Sequence, residues 1–298
     1  MNEVPYWLLG EGSNCVFVDD FDGDVWINRL KGVKVAETDT HFVVKAASGE
    51  NWHTLVQFCL SNAIYGFENL ALIPGTVGAA PIQNIGAYGR EVSEFIEAVD
   101  VVDMDTHERF SLTNEECLFG YRDSIFKREQ QRNWFIEQVH FKLPKNNQLV
   151  AHYGELKALK SPTPMQLFEA VVRIRHSKLP DPVVNGNAGS FFKNPVIEKA
   201  HLKSLQSKYS SIPSFEVNER LVKVPAAWLI DQAGFKGKSV GGVQCHAKQP
   251  LVLLNTGDAS GSDVLALARA IQQRIAQQFD VHLENEVRLI GTTGLVPL

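Results

Sequence analysis

Residues 73–89 read IPGTVGAAPIQNIGAYG, with four glycines and two prolines among small side chains. Proline removes a backbone donor, and glycine gives up conformational freedom in a helix or strand, so neither element suits this stretch. The composition predicts a loop folded closely against something flat. A nucleotide cofactor requires such close backbone approach, small side chains, and polar contacts of the kind that Gln83 and Asn84 supply. A long structural Ω-loop accounts for the same composition.

The chain has 298 residues, a length that suits about two domains. An apolar share of 44% and a charged share of 21% are enough for a sizeable core. The net charge of −5 gives no case for nucleic acid or an anionic membrane surface as partner. Cys15, Cys59, Cys117 and Cys245 are scattered and none forms CxxC, so neither a metal site nor a redox pair is expected. Buried or incidental thiols in a reducing compartment are the expectation. The start, MNEVPYWLLGEG, has no basic leader, and no segment reaches the ~18 apolar residues of a membrane helix. A cytoplasmic protein without membrane insertion is expected.

Short runs rich in β-formers at Tyr6–Leu9, Cys15–Val18, Val25–Asn28 and Phe42–Ala46 predict strands. Trp52, Leu55, Val56, Cys59 and Leu60 recur at helical spacing within Asn51–Asn62. Val99–Val102 and Trp134–Leu143 predict further strands. The polar, proline-bearing KALKSPTPM at 157–165 predicts a linker, which divides the chain into residues 1–164 and 165–298. Helices are then expected at Met165–Arg175, Ala226–Gln232 and Ser262–Phe279, with a strand at Leu251–Leu254.

Several segments carry polar chemistry. GEGSN at 10–14 lies between two apolar runs, where successive backbone N–H groups form either an anion-binding nest or a plain hairpin-like turn. It does not open a helix as GxGxxG would, so a Rossmann site is not supported. NGNAGSFFKNP at 185–195 places one hydroxyl, Ser190, after Gly186 and Gly189 and before Phe191 and Phe192. Turn residues followed by core aromatics explain it, and so does a hydroxyl set in a water-poor site. In GYRDSIF at 120–126, Arg122 suits a bidentate grip on a carboxylate or a surface pair with Asp123. HYGEL and RHSKLPDP offer Tyr153, Arg175 and Lys178 either as diphosphate ligands or as solvated polar positions. LENEVRLIG at 283–291 alternates apolar and charged residues, which puts Glu286 and Arg288 on one face of an expected strand. A simple ion pair on that face is the plain reading.

Taken together, the motifs GEGSN, IPGTVGAAPIQNIGAYG, GYRDSIF, KLPDPVVNGNAGSFFKNP, AAWLIDQAGFKG and LENEVRLIG run in order along nearly the whole chain. In this the chain resembles the UDP-N-acetylenolpyruvoylglucosamine reductase family. The resemblance implies an α+β protein: an FAD-binding PCMH-type (vanillyl-alcohol-oxidase-like) domain at 1–164, truncated at its N-terminus, followed by an α+β substrate-binding domain at 165–298.

It also implies FAD as cofactor, NADPH as co-substrate and UDP-N-acetylglucosamine enolpyruvate as substrate, handled by a monomer. By resemblance, Ser190 protonates C2, while Arg122 and Glu286 polarise the substrate carboxylate. Gly10, Glu11, Gly12, Ser13, Asn14, Gly75, Gly78, Gln83, Asn84, Gly86 and Arg288 fall at cofactor positions. Tyr153, Arg175, Lys178, Asn194, Lys223 and Gln249 fall at substrate positions. Members of the family carry a further β-α-type segment before the strand that ends in GEGSN. Either the start is placed too late or part of the flavin domain is lacking, and the latter leaves a UDP-sugar-binding protein unable to hold FAD as another reading; a flavin oxidase of the same superfamily is a separate one. Ala79-Ala80 replace hydroxyl side chains common in the family.

Overall fold

The protein is described by a computed structural model over residues 4–298. Residues 1–3, at the head of the segment read as lacking a basic leader, lie outside the described residues. The chain folds into two units. One holds Tyr6–Glu11 and Val25–Ser177; the other holds Gly12–Asp24 and Lys178–Leu298, with the described residues up to Pro5.

The first unit is built on a five-stranded antiparallel sheet in the order Val33–Glu37, His41–Ala47, Trp134–Pro144, Ile96–Asp103, Arg109–Thr113. Along the central strand Val139, Phe141 and Leu143 are buried while Lys142 between them is exposed, the period-two pattern of a sheet with one packed face. Helix α1 (Trp52–Ser61) is capped by Asn51, whose Oδ1 accepts from the Thr54 N–H at 2.9 Å. It buries Trp52, Leu55, Val56 and Cys59, and the Trp52 indole donates to the Leu70 carbonyl at 2.8 Å. Helix α2 (Pro164–Lys178) adds Leu167, Ala170, Val171 and Ile174 to the same core. The sequence sets α2 at the head of the second domain; its apolar face joins the core cluster that holds Trp52 and Phe141, and the first unit runs on to Ser177.

The glycine-rich stretch is more ordered than its composition suggests. It contains one helical turn at Val77–Ala79 and a two-residue strand, Gly86–Ala87, paired with Arg90–Glu91. Within the five-stranded sheet two strands escaped the sequence pattern, Val33–Glu37 and Arg109–Thr113. Both are short sheet edges: Arg109–Thr113 alternates polar and apolar residues, and Val33–Glu37 is interrupted by Lys34 and exposed over its last four positions, so neither forms an apolar run.

The second unit contains three small three-stranded sheets and helices α3 (Lys199–Gln206), α4 (Ala226–Gln232) and α5 (Gly261–Phe279). Phe191, Phe192, Leu229, Ile271 and Phe279 lie in its core. Helix α5 opens with a capping box between Ser260 and Asp263 and ends at Asp280, which takes φ 53. Strand Arg288–Gly291 runs parallel to Cys15–Phe17, so an early segment is built into the C-terminal sheet. That strand begins only at Arg288, which corrects the expectation of a longer strand carrying Glu286 and Arg288 on one face. The Phe191 carbonyl accepts from Glu286 N–H at 2.8 Å and Val287 N–H at 3.5 Å, and this shared acceptor breaks the strand geometry before it starts.

Candidate active site

In the first unit, residues around Arg122 are stitched to the glycine-rich loop. Gly120 and Asp123 exchange two backbone hydrogen bonds, at 3.0 and 3.2 Å, which closes a tight turn and leaves Arg122 at φ 53. A left-handed arginine is uncommon and needs such support. Its Nη2 donates to the Gly86 carbonyl at 2.9 Å, and its guanidinium lies 5.7 Å from the Tyr121 ring centroid. Ser124 Oγ donates to the Ile82 carbonyl at 2.6 Å, and Asn84 Nδ2 donates to the Gly120 carbonyl at 3.1 Å. The plain pairing of Arg122 with Asp123 is not what forms. Asp123 pairs with Arg128 at 2.8 Å, and Arg122 turns toward the loop.

Asn84 is buried at φ 44, and its side chain also binds Glu91 and the Ser93 N–H. It therefore braces the loop. Arg175, on α2, is not a solvated position: its Nε donates to the Leu72 carbonyl at 3.2 Å, and burial lowers its pKa. Tyr88 (φ 51) meets Tyr153 edge-on at 6.5 Å, and burial raises the Tyr88 phenol pKa. Tyr153 is half-exposed at 41%. Tyr88 lies within the glycine-rich motif, yet nothing in the sequence distinguishes it there; its left-handed backbone is seen only in the fold.

The same unit forms a cradle in which side chains are excluded. A Cβ at Gly10 would sit 2.7 Å from Thr76 Oγ1, and one at Gly78 would sit 2.5 Å from Ser48 Cβ. Gly75 takes φ 116, which favours glycine. Glu11 ties these pieces together, accepting from Asn51 Nδ2 at 2.8 and 3.1 Å and from the Gly75 N–H at 3.2 Å. Gln83 follows in the same loop.

In the second unit, Gly189 at φ 73 leads into Ser190, which forms a β-bridge with Val252. The Phe191 N–H donates to Leu251 at 2.7 Å and the Lys193 N–H to Glu284 at 2.9 Å, so the strip is held on both sides. Phe191 and Phe192 are buried at 2% and 1% exposure, while Ser190 stays partly exposed. No hydrogen bond to Ser190 Oγ forms among the described residues.

Asn14 Nδ2 donates to the Glu286 carbonyl at 3.2 Å. The Arg288 N–H donates back to Asn14 at 3.0 Å, and burial lowers the Arg288 pKa. Gly12 takes φ 71, and its N–H and that of Ser13 meet no acceptor among the described residues. Free N–H groups in such a turn suit a phosphate. Asn194 Oδ1 accepts from the Ala226 N–H at 2.9 Å, at the start of α4. Lys178 ends α2, Lys223 lies on the middle strand of its sheet, and Gln249 turns back to His246 Nδ1 through its N–H at 3.2 Å.

Thus Ser190, Glu286, Asn14 and Arg288 belong to one bonded segment group. Arg122, Asn84 and Gly86 belong to another, and Tyr153, Tyr88 and Arg175 neighbour one another. Among the described residues no group of three or more His, Cys, Asp or Glu could hold a metal, and no helix is long and apolar enough to cross a membrane. All four cysteines are free, and burial pushes the Cys59, Cys117 and Cys245 thiols up to about 12.

Known proteins match this arrangement. A family model described as an FAD binding domain matches residues 1–109. One described as the C-terminal domain of UDP-N-acetylenolpyruvoylglucosamine reductase matches residues 181–290. A protein named UDP-N-acetylenolpyruvoylglucosamine reductase from Pseudoalteromonas atlantica is 53% identical over 294 residues, covering 99% of this chain and 85% of that protein. One of the same name from Escherichia coli O157:H7 is 48% identical over 294 residues, covering 98% and 86%. The crystal structure of the reductase from Thermus caldophilus superposes with a TM-score of 0.65 at 24% identity, covering 97% of this chain and 86% of that one, and shows a shared fold.

The cradle at Gly10, Gly75 and Gly78 fits the FAD that the matched domain binds, and the two parts together define an FAD-dependent oxidoreductase. Within that class, the chain belongs to the UDP-N-acetylenolpyruvoylglucosamine reductase family.

Proposed function

We propose that the chain reduces UDP-N-acetylglucosamine enolpyruvate to UDP-N-acetylmuramate in peptidoglycan synthesis, with NADPH as electron source. FAD, held by the cradle at Gly10, Gly75 and Gly78, would supply hydride chemistry at its N5, with NADPH as the source and C3 of the enolpyruvyl ether as the destination. The observation that carries this reading is the Ser190 strip. Its backbone is fixed from two sides and its aromatics are buried, yet its hydroxyl is uncommitted.

Ser190 delivers the proton to C2 as hydride arrives at C3. Charge builds on the substrate carboxylate in that step, so donors fixed in advance lower the barrier most. Arg122 supplies a guanidinium held by a strained turn, and Glu286 acts from a backbone pinned to Phe191. Asn194, Tyr153, Lys178, Arg175, Lys223 and Gln249 hold the UDP-sugar. Gly10, Glu11, Gly12, Ser13, Asn14, Gly75, Gly78, Gln83, Asn84, Gly86 and Arg288 shape or line the cofactor site. In this reading residues 1–164 hold most of the cofactor positions and residues 165–298 most of the substrate positions, with Arg288 crossing one way and Arg122 and Tyr153 the other. The proposed working form is a monomer in the cytoplasm.

The test is spectral. The flavin band of the purified protein bleaches with NADPH and returns on adding the enolpyruvyl substrate. A band that bleaches and never returns contradicts the assignment.

A further inference from the structure

We propose that His53 is a positioning residue for the glycine-rich loop 73–89, and that it holds the loop only as the neutral imidazole. The inference rests on the reading of that loop as part of the FAD site. Leu72, the residue before the loop, takes φ 58, a left-handed conformation that side chains disfavour. Both of its backbone groups are held by side chains. Its N–H donates to His53 Nδ1 at 3.0 Å, and its carbonyl accepts from Arg175 Nε at 3.2 Å. The clamp therefore joins α1, which carries His53, to α2, which carries Arg175.

The ring of His53 lies flat against Phe168 of α2, with centroids 5.7 Å apart and planes 2° apart. That stack fixes the imidazole so that Nδ1 faces Leu72. Directly beyond, the Trp52 N–H at the start of α1 donates to the Gly75 carbonyl at 2.9 Å. Leu72 thus sets where Ile73, Pro74 and Gly75 enter the cradle. An Nδ1 that accepts must leave the ring proton on Nε2. Protonated His53 has a donor on both nitrogens and turns an N–H toward another N–H.

The charged and titratable groups that face His53 are Arg175 and His176, both from α2. Its other neighbours here, the Phe168 ring and the Leu72 backbone, carry no charge. Burial first, then Arg175 and His176, lower the His53 pKa below its ordinary 6.5. A depressed histidine stabilises the fold in full above 6.5, and this contribution is lost as pH falls from there through the lowered value. The loop therefore loosens on the acid side.

Two variants separate the clamp from general packing. His53→Asn places an oxygen near the position of Nδ1 and does not titrate. His53→Phe keeps a ring on Phe168 and removes the acceptor. FAD affinity is read by flavin fluorescence at about pH 4.5 and about pH 7.5, the lower pH set beneath the ordinary histidine range because burial depresses His53. Exchange of the Leu72 amide is read in flavin-free protein, corrected for the intrinsic effect of pH.

The wild type is expected to bind FAD about five- to tenfold more weakly on the acid side, the scale of one lost hydrogen bond, with faster Leu72 exchange. His53→Asn is expected to match the wild type at the higher pH and to show little change between the two. His53→Phe is expected to bind weakly at both. The same acid weakening in His53→Asn as in the wild type overturns the proposal, and so does full Leu72 protection in His53→Phe. If no form binds FAD at any pH the cofactor reading falls, and Leu72 exchange then decides the clamp.

Discussion

The Glu286 N–H donates to the Phe191 carbonyl at 2.8 Å, so the backbone of one proposed catalytic residue is fixed one position beyond the other, Ser190. The bond uses only main-chain atoms. Changing the Glu286 side chain leaves this bond in place. Glu286→Gln is therefore expected to leave melting temperature and flavin reduction by NADPH near wild type, while substrate reduction falls about 10²-fold or more. Rapid-mixing measurement of the two half-reactions, beside a melting curve, checks this.

Asn194 has a structural duty as well as its proposed hold on the diphosphate. Its Oδ1 satisfies the N–H of the buried Ala226, a donor at the first turn of α4 that has no partner within the helix. Asn194→Ala is expected to cost about 1 kcal/mol of stability, as lost caps do. Asn194→Asp retains the acceptor and is expected to recover that stability, but to bind the UDP-sugar weakly because it adds negative charge. Denaturant melts and calorimetry with the UDP-sugar separate the two roles.

Gly78 lies so close to the sheet that a Cβ would stand 2.5 Å from Ser48 Cβ. Gly78→Ala is expected to destabilise the protein by about 1–3 kcal/mol through overpacking and to weaken FAD binding with it. Ser48→Gly in the same chain removes the colliding atom and is expected to restore part of both. Chemical unfolding and flavin fluorescence report the result.

The strongly periodic pieces of this fold were legible in the sequence. Helix α4 spans Ala226–Gln232 as its pattern predicts, and α5 begins one residue early, at Gly261, because Ser260 and Asp263 form its cap. Asn51, which the sequence offers as the start of the first helix, is its cap. The edge strand Val33–Glu37 was not legible, because four consecutive exposed positions give it no buried face and so no period-two pattern. The segment before Arg288 read as strand because Leu283, Val287 and Leu289 alternate with charges; the shared Phe191 acceptor is a tertiary event that alternation does not encode.

The same holds for the site. GYRDS and NAGSF pointed to Arg122 and Ser190. The turn of Arg122 toward Gly86, away from Asp123, depends on where loop 73–89 lies in the fold. His53 carried no signal at all, since its partner Leu72 is 19 positions away and is recognised only through its backbone.

The central claim is that Ser190 supplies the proton at C2, and comparison of the two half-reactions in Ser190→Ala tests it most directly. Loss of a proton donor in the transition state costs about 10²–10⁴-fold in the step it serves. Flavin reduction by NADPH is predicted to run at close to the wild-type rate, while reoxidation by the enolpyruvyl substrate slows by that factor. Equal slowing of both half-reactions, or reoxidation at the wild-type rate, would contradict the account.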